Sequence, residues 1–164
     1  MRTRSLSIAV ITRIALIAAL YAGLTVALAP ISYGPLQVRV SEALTVLPIF
    51  FPEAVPGLFL GCLVANIFGG LGIYDIVFGS LLTLVAAYGT AKFRGHPVIA
   101  LTSPVVVNGF GVPLYLSILF NMPYIVTALY VLAGEAAAVY LLGGLVYLAL
   151  SRRVEIAAEA KHTL

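Results

Sequence analysis

Apolar residues fill most of this chain, and the few charged residues stand far apart from one another. Hydrophobic residues make up 62% of its 164 residues, while charged residues make up only 9%. A water-soluble domain of this size could not cover its surface with so few charges. A bilayer instead requires helices of roughly 20 apolar residues, because its hydrocarbon core is about 30 Å thick. We therefore expect an all-α integral membrane protein whose single transmembrane domain covers residues 1–164.

Prolines, glycines and short polar stretches divide the apolar sequence into helix-sized segments. Pro30 and Pro52 interrupt two of the runs, and Gly69–Gly72 and Lys92–Pro97 end two others. These residue types end or bend helices. Ser41 is a suitable N-cap, and the residues from Ser151 onward read as a charged tail. The predicted bundle has six transmembrane helices, at about 7–29, 42–51, 53–69, 73–93, 98–120 and 124–150.

The basic residues indicate how this bundle is oriented. They form groups at the start of helix one, between helices four and five, and after helix six: Arg2, Arg4, Arg13, Lys92, Arg94, Arg152, Arg153 and Lys161. Six spans place all of these groups on one side, which is cytoplasmic because cytoplasmic loops are enriched in Lys and Arg. Both termini are therefore predicted to be cytoplasmic, in a multi-pass protein of the cell membrane. Arg39 is predicted to lie on the outer side.

Isolated polar residues interrupt the apolar segments, and this threading gathers them in the outer half of the bilayer. A carboxylate in hydrocarbon costs roughly 2.5–3.5 kcal/mol or more, so such residues are rare unless they serve a purpose. A convergent set of them predicts a pocket that opens outward and takes a polar solute. The set comprises Glu42, Asn66, Asp75, Asn108, Asn121 and Glu135.

The acids in this set also have structural explanations. Glu135, near mid-depth and surrounded by small residues, is the strongest candidate for a functional carboxylate. It could instead pair with Arg39 or bond to a neighbouring helix. Glu42 and Asp75 stand at predicted helix N-termini, where the helix dipole favours a carboxylate without any other reason.

The uncharged polar residues are open to two explanations as well. The amides of Asn66 and Asn108 suit the edge of a heterocycle, because an amide both donates and accepts. Hydrogen bonds between helices are an equally ordinary use of such amides. Tyrosines at the predicted outer boundary could stack on a ring, but tyrosine is enriched at membrane interfaces, and we assign most of these to that belt. They are Tyr33, Tyr74, Tyr115 and Tyr124.

Helix one contains small residues spaced four apart, which allow another helix to approach closely. The pairs are Ala15 with Ala19, Ala18 with Ala22, and Ala19 with Gly23. This face could pack within the bundle or against another subunit.

Motifs for catalysis, for nucleotide hydrolysis and for metal binding are not found in the sequence. It has no G-x-x-x-x-G-K-[ST] motif, so we expect no ATP binding by a P-loop. His96 and His162 are far apart, and a single cysteine, Cys62, excludes a disulfide framework. The basic residues lie at helix ends rather than on a stripe with aromatics, which argues against nucleic acid. We expect neither an enzyme nor a cofactor nor a metal site.

The clearest pattern in the sequence lies between Gln37 and Thr83. It consists of Gln37–Leu44, Leu47–Pro48, Gly57–Asn66 and Asp75–Leu84. This pattern resembles the QueT family, the proposed importers of queuosine precursors, which are substrate-capture (S) components of energy-coupling-factor transporters. The resemblance extends from helix one to helix six. Beyond Pro97 it depends mainly on hydropathy and on Gly134–Glu135.

This resemblance implies a mechanism and a set of partners. An S component captures a vitamin-like solute outside the cell and docks on a transmembrane coupling subunit through the small-residue face of helix one. Two cytoplasmic ATPases drive that subunit, and the S component topples so that its pocket opens inward. The implied docking residues are Ala15, Ala19, Ala22 and Gly23.

The implied solute is 7-aminomethyl-7-deazaguanine or queuine. Its guanine-like edge offers adjacent N–H donors, which a carboxylate accepts in pairs, and its exocyclic amine is cationic. Glu135 together with Asp75 or Glu42 would take these two roles, and which acid takes which role stays open. Gln37 and Arg39 would cover the pocket or contact the ring carbonyl. The implied substrate-binding set is Glu135, Asp75, Asn66, Glu42, Arg39, Gln37 and Asn108.

Other functions remain open at this point. The solute could be another vitamin-like compound. A stand-alone carrier could couple transport to protons through Glu135 and Asp75, but such carriers are usually built on inverted repeats, and the sequence has no evident repeat. A structural subunit of a larger membrane complex would merely pair its acids internally.

Overall fold

The computed structural model describes residues 7–34 and 37–162, with side chains as far as Val154. Every regular element in these ranges is a helix, and α3 is a 3₁₀ helix. Two π-helical segments, Asp75–Gly79 and Ala137–Gly143, lead into α5 and join α8 to α9. The helices are α1 (Ile8–Ala27), α2 (Ala29–Ser32), α3 (Val40–Ile49), α4 (Ala54–Gly69), α5 (Ser80–Lys92), α6 (Pro97–Gly111), α7 (Pro113–Leu119), α8 (Tyr124–Ala136) and α9 (Gly144–His162). Arg2 and Arg4, which contribute to the topology prediction, lie outside the described residues.

Several of these helices can cross a membrane, and their surface is apolar. The described stretches that are long and apolar enough are Ile8–Ala27, Pro97–Leu119 and Tyr124–Val154, with Val40–Ile49 and Ala54–Gly69 as shorter apolar helices. Large side chains such as Phe68, Val98 and Ile118 are 72–80% exposed. Apolar surface costs about 25 cal/mol per Å² in water, and lipid removes that cost. The expected all-helical membrane protein is confirmed, while the number of spans and the side of the termini stay predictions.

Several helix ends differ from those that the sequence predicts. α1 ends at Ala27, and Pro30 lies in the first turn of α2, where a missing amide hydrogen costs nothing. The last helix does not end near Leu150, because α9 continues to His162. The expectation that the helix gives way to a tail there is wrong, since Ala, Arg, Glu and Lys are all good helix formers.

The position of α3 shows that Ser41 is not an N-cap. α3 begins at Val40 without a side-chain cap. The Ser41 hydroxyl lies 2.6 Å from the hydroxyl oxygen of Thr25 on α1. Both residues are fully buried, so this hydroxyl pair satisfies two polar groups in the interior and joins α3 to α1.

α1 packs along α4 because two glycines of α4 leave room for it. A Cβ atom at Gly61 would lie 2.8 Å from the Ala18 carbonyl oxygen and from the Tyr21 Cβ atom. A Cβ atom at Gly57 would lie 3.0 Å from the Ile14 carbonyl oxygen. The contact places Tyr21 in one core cluster with Cys62 of α4, so both side chains face the interior of the bundle.

Candidate functional site

The polar residues that interrupt the apolar sequence meet in the interior of the bundle. Their side chains are only 0–7% exposed, and we call this set the polar centre: Gln37, Arg39, Glu42, Asn66, Asp75, Asn108 and Glu135. The expected convergence is present, but the set is enclosed rather than open on one side. Asn121, also expected in the set, lies apart and exposed in a turn, where its φ is 50°.

One half of the polar centre is built around an ion pair. The Nη2 atom of Arg39 lies 3.3 Å from Oδ1 and 3.4 Å from Oδ2 of Asp75. The Tyr115 hydroxyl donates a hydrogen bond of 2.6 Å to Oδ1 of Asp75. The Asn66 side-chain amide donates one of 2.8 Å to the backbone carbonyl of Asp75. Both carboxylate oxygens of Asp75 therefore have partners, and the partner of Arg39 is Asp75 rather than Glu135.

A glycine in the π-helical segment makes this half possible. A Cβ atom at Gly79 would lie 2.9 Å from Nδ2 of Asn66, 2.9 Å from the Tyr115 hydroxyl oxygen and 3.0 Å from Oδ1 of Asp75. Any larger residue would push these three side chains apart. The extra residue that a π turn inserts thus brings Asp75 and a side-chain-free position onto the same inner face.

The other half consists of two carboxyl groups that share one amide. The Asn108 side-chain nitrogen lies 3.2 Å from Oε1 of Glu135 and 3.5 Å from Oε2 of Glu42. The Tyr21 hydroxyl donates a hydrogen bond to Oε1 of Glu42. We call Glu42, Asn108 and Glu135 the acid pair with its amide. Three separate helices, α3, α6 and α8, supply these residues.

The loop before α3 reaches the polar centre because Gly134 lets its backbone approach α8. A Cβ atom at Gly134 would lie only 1.8 Å from the Gln37 carbonyl oxygen and 3.5 Å from the Val38 Cα atom. The small residues around Glu135 therefore accommodate backbone. Their effect is to seat the loop directly beside the carboxyl group of Glu135.

Five buried side-chain polar atoms have no hydrogen-bond partner among the described residues, and four of them belong to the polar centre. They are the side-chain oxygens Ser32 Oγ, Asn66 Oδ1, Asn108 Oδ1 and Glu135 Oε2, and the Gln37 side-chain nitrogen Nε2. Buried polar groups are normally paired, so each such atom needs an explanation. Among the described side chains of the centre, one guanidinium also stands with three carboxyl groups, which leaves an excess of acid.

The single cysteine is part of the same interior. Cys62 is fully buried, and its sulfur lies 3.9 Å from Nη1 of Arg39. The Thr83 hydroxyl donates to this sulfur over 3.2 Å, and the Asn66 amide approaches it at 3.4 Å. The thiol therefore contacts the guanidinium group of the Arg39–Asp75 ion pair.

Two tyrosines bond to acids of the polar centre, which the sequence does not predict. Tyr115, assigned to the interfacial belt, is 7% exposed and bonds to Asp75, whereas Tyr74 is 55% exposed, as that belt requires. Tyr21 is fully buried against Glu42. Spacing could have indicated Tyr115, because it follows Asn108 by seven residues and two helical turns return a side chain to the same face.

A second ion pair lies outside the polar centre. Nη1 of Arg13 is 2.6 Å from Oε1 of Glu53, and the Arg13 side chain is 55% exposed. Hydrogen bonds from its own backbone amide and from Arg13 lower the pKa of Glu53. This pair joins α1 to the turn before α4.

The small residues of helix one divide between two environments. Ala15, Ala19 and Gly23 are exposed on the outer face of the bundle. Ala22 is only 9% exposed and belongs to the core cluster around Tyr21. Of the four predicted docking residues, Ala22 thus packs inside the bundle, and its contact with a partner stays a prediction.

The described residues include no group of three or more His, Cys, Asp or Glu side chains that could hold a metal ion.

These features define a multi-pass membrane protein with an enclosed polar interior made by several helices. Comparison with known proteins gives it a family. The sequence model of the QueT transporter family matches residues 11–152, and the chain belongs to that family. The resemblance seen in the sequence is thereby confirmed.

One curated relative is similar over part of its length. The Queuosine precursor transporter QueT of Lactococcus lactis subsp. cremoris (strain MG1363) is 40% identical over 77 residues, which are 46% of this chain and 45% of the relative. The match thus spans less than half of that relative. No solved structure matches the chain.

Proposed function

We propose that this protein is the substrate-capture component of an energy-coupling-factor importer. It binds a queuosine precursor, 7-aminomethyl-7-deazaguanine or queuine, from outside the cell. Membership of the QueT transporter family supports the general role in transport, and the name of the relative supports the substrate class. In this proposal the energy comes from two cytoplasmic ATPases that act through a transmembrane coupling subunit, and the lack of a P-loop motif in the sequence fits that division.

The observation that carries the substrate assignment is the set of unpartnered atoms in the polar centre. Within residues 7–34 and 37–154, the buried side-chain atoms without partners are two amide oxygens, which only accept, and one carboxyl oxygen, against one donor nitrogen on Gln37 and the hydroxyl of Ser32. A solute that satisfies this set must donate more hydrogen bonds than it accepts. An aminomethyl-deazaguanine fits, because its N–H groups and ammonium donate while its ring carbonyl accepts.

The orientation of both asparagine amides follows from their partners, with Glu42 and Glu135 taken as ionised acceptors. The side-chain nitrogen of Asn66 faces the carbonyl oxygen of Asp75, and that of Asn108 faces two carboxyl groups. Such partners require the NH₂ end of the amide, so Oδ1 is the free end in each case. These oxygens and the carboxyl group of Glu135 would hold the polar edge of the solute.

Solute entry requires the polar centre to open. Gln37 and Arg39 lie on the loop between α2 and α3, where Gln37 packs on Gly134 and Arg39 bonds to Asp75. Displacement of this segment would release both contacts together. Gln37 and Arg39 would then close over the bound base, in keeping with the covering role that the family resemblance implies.

The outer face of α1 supports the proposed docking on a coupling subunit. Ala15, Ala19 and Gly23 are exposed there, and small residues allow close approach of a partner helix without a cavity. Ala19→Leu should leave solute binding intact and abolish uptake. Ala133→Leu is a matched control, because Ala133 is exposed on α8. Uptake that survives Ala19→Leu would exclude this face as the docking surface.

Binding is tested with the purified protein and 7-aminomethyl-7-deazaguanine by calorimetry. We expect one site per chain, with affinity reduced at least tenfold by Glu135→Ala. Native mass spectrometry of the protein as extracted should detect a retained molecule of this class. Binding of an unrelated vitamin instead would keep the capture role and change its solute.

Uptake separates the importer from the stand-alone carrier. Cells should accumulate the labelled base only when the chain is produced together with a coupling subunit and its ATPases. Uptake by the chain alone, abolished by an agent that collapses the proton gradient, would favour the carrier. Absence of any bound solute would favour a structural role.

A further inference from the structure

We propose that the acid pair, Glu42 and Glu135, is the cation subsite of this protein and that the Arg39–Asp75 half does not contact the charged group. The inference rests on the proposed function, because it takes the solute to be a flat base that carries an ammonium group. It decides which of the three carboxylates faces that ammonium.

The geometry of Asn108 shows that one small donor can reach both acids. Its side-chain nitrogen is within 3.5 Å of both carboxyl groups. A primary ammonium has about the same size as this NH₂ group, with three donor hydrogens and a full positive charge. It can therefore bridge the two acids as the amide does, and its full positive charge strengthens such bonds beyond what a neutral NH₂ donor supplies.

The unpartnered amide oxygen of Asn108, beside the acid pair, points to a ligand independently of the acids themselves. In the described part of the chain, Oε2 of Glu135 and Oδ1 of Asn108 have no hydrogen-bond partner, although Asn108 is only 2% exposed. Asp75 differs, because Arg39 and Tyr115 occupy both of its carboxylate oxygens. Among the carboxylate oxygens of the described centre, Oε2 of Glu135 is the one without a partner.

The charge balance leads to the same assignment. Arg39 neutralises Asp75 at 3.3 Å, which leaves Glu42 and Glu135 without a described cation. Two buried carboxylates without a counterion are unfavourable in a membrane interior. A solute with one positive charge relieves this, whereas a solute that breaks the Arg39–Asp75 pair would leave an unpaired guanidinium. Recognition therefore favours a cationic ligand over a neutral one of the same shape.

The test uses two bases that share one ring system, 7-aminomethyl-7-deazaguanine and the uncharged 7-cyano-7-deazaguanine. We expect the unmodified protein to bind the aminomethyl base at least tenfold more tightly than the cyano base. Glu135→Gln and Glu42→Gln, which keep the side-chain shape, should reduce this preference at least fivefold. Asp75→Asn and Tyr115→Phe should lower affinity for both bases by similar factors and leave their ratio within twofold.

The titrations are repeated in sodium, potassium and choline chloride, because a metal cation could use the same carboxylates. If Glu135→Gln removes a dependence on sodium or potassium and leaves the preference for the aminomethyl base in place, the subsite holds an inorganic ion and the proposal is overturned. It is equally overturned if Asp75→Asn, rather than Glu135→Gln, erases the preference.

Different results would overturn the proposed function and the cation subsite. If the unmodified protein binds neither base, the proposed function fails and this inference with it. If it binds both bases and every variant lowers both affinities equally, the proposed substrate class stands and the cation subsite alone is wrong.

Discussion

Two ion pairs in this protein show that burial, rather than the distance between the charges, decides how much stability is lost when one partner is removed. Arg13 and Glu53 are 2.6 Å apart, with side chains 55% and 19% exposed. Arg39 and Asp75 are 3.3 Å apart, with side chains 6% and 0% exposed. Loss of one partner costs less in the shorter pair, because water and salt screen its charges. Loss of one partner from the longer pair strands a charge in the interior.

The contrast also separates two structural roles. The exposed pair joins a helix to a turn at the periphery, where either side chain can be solvated. The buried pair joins the loop before α3 to the π-helical segment before α5, and Tyr115 and Asn66 fix its carboxylate end. The buried pair therefore holds the end of that loop against the π-helical segment.

The largest effect is expected from Arg39→Met, which leaves Asp75 buried without its cation. We expect the free energy of unfolding in mixed micelles to fall by about 3–5 kcal/mol. The double variant Arg39→Met/Asp75→Leu should recover most of this loss, because it leaves no uncompensated charge. A single variant that loses less than about 1 kcal/mol would show that water enters the centre.

Tyr115→Phe should have the next largest effect, because it removes one hydrogen bond to a charged group. A loss of about 1.5–3 kcal/mol in the free energy of unfolding is expected. Tyr88→Phe is the control, since Tyr88 is 62% exposed and should change stability by less than about 0.5 kcal/mol. Equal effects of the two substitutions would show that Tyr115 does not bond to Asp75.

Gly134→Ala tests whether the loop backbone is seated on α8. The added methyl group would meet the Gln37 carbonyl oxygen at 1.8 Å, and overpacking of this kind costs about 1–3 kcal/mol. The loop must shift, so binding of the aminomethyl base should weaken as well. Gly144→Ala is matched, because a Cβ atom there meets nothing within 4 Å. It should be neutral or slightly stabilising, because alanine favours helix.

The smallest effect is expected from Glu53→Gln, at less than about 1 kcal/mol and declining with added salt. The direction in which this stability changes with pH follows from the lowered pKa of Glu53 in the folded protein. The stability that this carboxylate contributes is present above its ordinary pKa of about 4.3 and is lost as the pH falls through the lowered folded value. Glu53→Gln should remove this part of the acid dependence. An unchanged unfolding profile below pH 4 would contradict the assigned pair.

The sequence predicts the members of the polar centre better than their partners. Glu42, Asp75 and Glu135 are conspicuous because an acid in an apolar run is costly and therefore informative. The sequence does not say which of these acids Arg39 meets, since that depends on how far the π turn rotates Asp75. The prediction that Asn121 joins this set is wrong for a related reason, because a position at a helix end can face either the interior or the surface.

Residues that are common at membrane surfaces were the hardest to place. Tyr21 and Tyr115 look like ordinary aromatic residues of membrane helices, and only their buried partners, Glu42 and Asp75, show otherwise. The sequence does not reveal the helix beyond Ser151. A change from apolar to charged residues marks the edge of a membrane, which need not be the end of a helix. The all-helical membrane class, in contrast, follows directly from hydropathy.

The position of Cys62 provides a natural reporter of opening. It is the chain's single cysteine, and it is enclosed behind Arg39 and Thr83. In the proposed opening, displacement of the Gln37–Arg39 segment gives a thiol reagent access to it. The rate of alkylation therefore measures how often the interior is exposed, without any engineered label, and a bound solute should slow it.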